Sequence, residues 1–114
     1  MREALIICPR HDNEGNTLEG LRAMAVAALV TAFGGCTVQE AFGHWADATG
    51  RVVSEPVWQL VTACVHSDDT ADTLRSVAEM IGKLGRQWAV YVRLADGSVE
   101  IIDTAAAAGL KAAA

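Results

Sequence analysis

Residues 36–66 constrain the fold more than any other stretch. CTVQEAFGHWAD and RVVSEPVWQLVTACVH are both β-rich, and the ATG between them brings in Gly50, which can adopt the turn conformation that folds one run back on the other. The expected result is a long antiparallel hairpin whose side chains alternate between two faces. A hairpin of this length has to be completed by whatever flanks it.

The flanks read as helices and short strands. Asn16 and Glu19 stand in a capping-box arrangement, and Leu18, Leu21, Ala25, Ala28, Leu29 and Ala32 then recur at helical spacing until Gly34 and Gly35. Ser67, Asp68 and Asp69 offer N-caps to a second helix, whose stripe is Leu74, Val77, Ile81 and Leu84 and whose end is Gly85. EALIIC at 3–8, stopped by Pro9, and WAVYVRL at 88–94 add a strand on each side, and the Asp96-Gly97 turn admits a fifth strand in SVEII. The order β-α-β-β-α-β is the split β-α-β, ferredoxin-like arrangement. It predicts an α+β two-layer sandwich, an antiparallel sheet in the order 4-1-3-2 with two helices on one face. Residues 1–104 are read as one domain. The alanine-rich 105–114 are read as a tail, frayed or appended, with no function.

Composition narrows the class. A chain of 114 residues holds one core, and 52% hydrophobic against 20% charged residues is enough apolar surface to fold. A net charge of -5, with basic residues scattered singly, disfavours nucleic acid as a partner. The longest apolar run, AMAVAALVTAF, is too short to span a membrane, and the N-terminus does not read as a secretory leader, so the expected location is the cytoplasm. Three cysteines without a CxxC spacing point to reduced thiols.

Each cysteine has a histidine close by: Cys8 with His11, Cys36 with His44 and Cys64 with His66. The topology sends the first and last of these pairs to opposite ends of the sheet, so no metal site is expected, and no cofactor. The bland alternative is that the thiols are small core residues. The loop CPRHDNEGN gathers Arg10, His11 and Asp12, yet it reads more simply as a solvated turn. No G-x-S-x-G elbow exists, and Glu40 and Glu55 fall on opposite faces of the hairpin, so neither a serine triad nor a carboxylate pair is expected.

The faces carry more information. Val38, Phe42, Trp58, Leu60 and Cys64 form one set, expected beneath the helices. Thr37, Gln39, Trp45, Glu55, Gln59 and Val61 belong to the other, which mixes apolar and amide groups as a covered or ligand-lined sheet face would. The first helix is apolar nearly all round, from Ala23 to Phe33, which adds to the case for a homodimer.

DN-x-G at 12–15, FGG-x-T at 33–37, G-x-W at 43–45 and G-x-V-x-x-E at 50–55 resemble small uncharacterised bacterial and phage-borne (mobile-element) domains with a ferredoxin-like sandwich. That resemblance implies no activity and assigns no catalytic residue. The leading expectation is therefore a non-catalytic binding or interaction module. It would act as a homodimer and take a small molecule or a protein partner through Gln39, His44, Trp45, Glu55, Gln59, Arg93 and His11. The second is a small cofactor-free dimeric enzyme of the ferredoxin-like type, a monooxygenase, isomerase or lyase, with His44 or His11 as base in a cleft.

Overall fold

The computed structural model describes residues 1–110. Its elements are β1 (Arg2–Pro9), α1 (Glu19–Phe33), β2 (Thr37–Ala46), β3 (Val52–Cys64), α2 (Asp68–Leu84), β4 (Ala89–Arg93) and β5 (Val99–Asp103). One five-stranded sheet runs β2-β3-β1-β4-β5, with every neighbouring pair antiparallel. The expected order of the first four strands is met, and SVEII adds the fifth at the edge beyond β4.

Both helices cover one sheet face: α2 through a single apolar stripe, and α1, apolar nearly all round, through Leu21, Ala25 and Leu29 while Met24 and Val30 stay exposed. Leu74, Val77, Ala78 and Ile81 of α2, and Leu21, Ala25 and Leu29 of α1, pack onto Ala4, Ile6, Trp58, Leu60, Val90 and Val92. Trp58 is 2% exposed and the largest side chain of this core. Full burial of each Leu, Ile or Val is worth ~1.5–3 kcal/mol, so this layer supplies most of the fold's driving force.

Local signals behave unevenly. Ser67 caps α2 as expected, accepting from the Thr70 N–H at 3.1 Å, while the Thr70 hydroxyl accepts from the Ser67 N–H at 2.9 Å. The capping box expected at Asn16 does not form. α1 begins at Glu19 behind Leu18, which makes no side-chain cap bond, because Asn16 is engaged elsewhere: its amide donates to Asp12 at 3.0 Å. Asp12 organises the loop, accepting from the backbone of Glu14 and Asn16 as well, and these bonds hold its carboxyl below the usual range. β1 ends at Pro9, in keeping with the expected stop, and includes the proline. It is the last paired residue, opposite Val57, where the missing N–H matters least.

The hairpin outruns the rest of the sheet. β1 accompanies β3 only from Cys64 to Val57, so Phe42–Ala46 and Val52–Pro56 have no third strand paired beside them and project as an arm. The turn at its tip is tied by Asp47, which accepts from Thr49 and Arg51, with Gly50 at φ 83. The helices do not reach this arm. Phe42, expected in the core, is 71% exposed although it lies on the helix side as its alternation requires.

Beyond β5 the chain returns onto α2. Thr104 donates its hydroxyl to the Gln87 carbonyl at 2.7 Å and its N–H to Trp88 at 3.0 Å, and a Cβ on Gly82 would collide with its side chain. Ala105 and Ala108 of the alanine-rich stretch are buried; residues 111–114 of that stretch lie outside the described residues. Among the described residues no helix is long and apolar enough to cross a membrane.

Candidate functional site

The pairings lay out the face turned away from the helices as a grid. Gln39 stands opposite Gln59, which is opposite Ile7; Ala41 stands opposite Val57, which is opposite Pro9; Gly43 is opposite Glu55, and Trp45 opposite Val53. Arg10 donates its N–H to the Pro56 carbonyl at 3.3 Å, so the β1 register continues past Pro9 and sets His11 beside Glu55. A bridge between His11 and Thr17 holds the loop there.

This end of the open face gathers three of the expected residues. Partial burial pushes the Glu55 carboxyl above its ordinary range, and the charge of nearby His11 offsets part of that shift. Trp45, 44% exposed, lies back over Gly43: a Cβ at that glycine would sit 3.6 Å from Trp45 Cζ3 and 3.6 Å from Val57 Cγ1. These are ordinary contact distances, so the indole packs along the strand against the Gly43 backbone and Val57. A carboxylate, an imidazole and a flat aromatic ring thus share one patch, while the paired amides of Gln39 and Gln59 lie on the same face beyond the Ala41–Val57 pair, four residues farther along the strands at ~3.3 Å each. Such a patch can hold a cation against the ring and carboxylate, and can exchange a proton through Glu55 or His11.

Two of the expected residues lie elsewhere. His44 is on the helix side of the arm, its Nδ1 hydrogen-bonded to Ser54 Oγ at 2.6 Å. Arg93 shares the open face but sits opposite Leu5, level with Val61. Six residues along β3 at ~3.3 Å each put it roughly 20 Å from the level of Glu55, too far to touch the same small molecule.

The cysteines split as the topology required. Cys8 and Cys64 are buried at opposite ends of β1 and β3, and Cys36 is half-buried just before the first β2–β3 pair, Thr37 with Val61. Burial pushes all three thiols up, Cys8 to about 12, so they stay neutral and unreactive at physiological pH. Among the described residues, no three of His, Cys, Asp and Glu converge to hold a metal ion.

Surface recesses lie away from this patch. A groove of about 610 Å³ between the helices is lined by Asp69, Asp72 and Met80, and a hollow of about 360 Å³ at the far end of the sheet by Phe33, Cys36 and Thr62. Neither contains His11, His44, Trp45 or Glu55.

No protein-family model matches the chain, and no curated protein matches it. Two solved structures share its fold. One is a phage SAM lyase in complex with S-methyl-5′-thioadenosine, with a TM-score of 0.70 and 15% identity over 89% of this chain and 88% of that one. The other is a phage SAM lyase in the apo state, with a TM-score of 0.68 and 17% identity over 89% and 87%. At this identity the likeness establishes the sandwich architecture alone. It still corrects the leading expectation of a non-catalytic module, because in both neighbours the architecture is that of an enzyme, which favours the second expectation. Both neighbours are phage proteins, in keeping with the coarse part of the resemblance read from the sequence. The FGG-x-T and G-x-W motifs that carried that resemblance match no family.

Sequence pattern alone does not join His11 to Glu55, because a strand that ends at Pro9 leaves His11 in the loop that follows. Following the β1 register two residues past the proline joins them.

Proposed function

We propose that this chain is a small lyase acting on a sulfonium compound of the SAM class, at the open-face patch of Glu55, His11 and Trp45. The observation that carries the reading is the partly buried Glu55 carboxyl beside His11, with the Trp45 ring over Gly43. A solved neighbour of the same fold is a SAM lyase holding S-methyl-5′-thioadenosine, and this supports the choice of substrate.

The chemistry suits such a patch. In an elimination, Glu55 or His11 takes a proton from the side-chain carbon next to the one bonded to sulfur, that C–H pair becomes a C=C bond, and the C–S pair leaves with the sulfur as a neutral thioether. The leaving group needs no proton and no metal. The protein's tasks are then to hold the cation against the indole and the Glu55 carboxylate, to fix the reactive conformation, and to take up a proton where one is lost. The adenine, flat and apolar on its faces, can stack on Trp45.

An open face admits water, which a lyase must keep out. We propose in addition that a second copy covers it, with Trp45, Tyr91, Val99 and Ile101 as its apolar contacts; all four are exposed. Incubation of the purified chain with SAM, followed by chromatography, tests the first proposal: S-methyl-5′-thioadenosine should accumulate, and its absence above the uncatalysed rate overturns the reading. Sedimentation at micromolar concentration tests the second, and a monomer alone removes it.

A further inference from the structure

On the helix side of the same region, two guanidiniums lie against one indole. Arg22 of α1 stands 4.6 Å from the Trp58 ring centroid and Arg10, leaving the end of β1, stands 5.2 Å from it. The ring belongs to the core, so it is a rigid anchor that holds both cations close to itself. Two like charges gathered on one ring repel each other, and a structure that keeps them together gains from an anion between them.

The anions already present do not fill that role. Glu40 reaches Arg10 at 3.4 Å from the exposed edge strand, a pair of the kind worth little in water. Among the described residues Arg22 has no carboxylate within ion-pair distance, so its donors are unspent on protein. Stacking on an aromatic face leaves the edge of a guanidinium, with its fork of N–H groups, free to meet oxygen atoms two at a time.

We infer that Arg10 and Arg22, seated on Trp58, form a binding site for a phosphate-type oxyanion, with Glu40 as an internal competitor for Arg10. The site faces away from the Glu55 patch and stands whether or not the chain is a lyase. Its ligand could be free phosphate or the phosphate of a nucleotide, and the two have the same chemistry at the arginines.

The test is NMR of the arginine Nε–Hε groups in the full chain, titrated with sodium phosphate and AMP and, at matched ionic strength, with sodium chloride and adenosine. Saturable shifts of Arg10 and Arg22 with phosphate and not with chloride are expected. Arg22→Gln should weaken binding at least tenfold, and Glu40→Gln should tighten it several-fold by freeing Arg10. Should Arg22→Gln unfold the chain, Arg22→Lys keeps the charge but loses the fork, and weakening of several-fold is expected there. AMP binding tenfold more tightly than phosphate identifies a nucleotide as the source, and equal affinities identify phosphate itself. Shifts that do not saturate, that chloride reproduces, or that survive Arg22→Gln unchanged overturn the site.

Discussion

The two ends of β3 share one strand and live in different surroundings. From Val57 to Cys64 the strand is flanked by β1 and β2 and roofed by helices, and its thiol at Cys64 is buried and neutral. From Val52 to Pro56 its only strand partner is β2, and just the segment that follows β1 touches it, through the Arg10 N–H bond to Pro56 and His11 beside Glu55. The same alternation that makes a core at one end makes a chemically able surface at the other. What covers a strand, rather than which residues it carries, decides whether its polar groups are inert or available.

The comparison breaks most easily at Trp58, where the two regions meet. Trp58→Ala removes the central core side chain and should cost ~3–5 kcal/mol by urea unfolding, taking the Arg10 and Arg22 perch with it. At the Glu55 patch, Glu55→Gln should lower SAM turnover ~100-fold, close to 2.7 kcal/mol, while the fold persists. The same substitution sharpens the contrast through pH. Because burial raises the Glu55 pKa, the native state prefers the neutral acid and loses stability as pH rises through the folded value. Glu55→Gln should therefore melt higher than the parent at neutral pH, with the difference vanishing below the pKa of a free glutamate. Turnover by the parent should fall on acidification at a pH above that of an ordinary glutamate.

Smaller effects complete the series. Gly82→Ala forces a methyl into Thr104 and should cost ~1–3 kcal/mol, read as a lowered melting temperature. Phe42→Ser on the uncovered arm should change monomer stability by no more than ~0.5 kcal/mol, and a loss as large as that at Trp58 would show that the arm is covered after all.

The layer plan was legible because period-two alternation, helical spacing and turn residues agree along most of the chain. The faces of the hairpin followed from one register anchored at Gly50, and Trp58, Leu60 and Cys64 fell where that register put them. The start of α1 was not legible, since Asn16 can bond either to the helix or back to Asp12, and only the folded loop chooses. Phe42 illustrates another limit. Alternation assigns a side chain to a face but does not say how far the covering layer extends. The Arg22 stack left no motif, because it joins a helix to a strand distant in sequence through a ring both happen to touch.

β1 lies in the middle of the sheet, and its partners are β3, reached at Cys64, and β4, reached at Arg93. The earliest strand along the chain thus waits for nearly all the rest before it is paired on both sides. Such long-range closure makes for slow folding by the measure of contact order. Until it is complete, Leu5, Ile6 and Ile7 form an unpaired apolar template, and refolding yield should fall steeply with protein concentration.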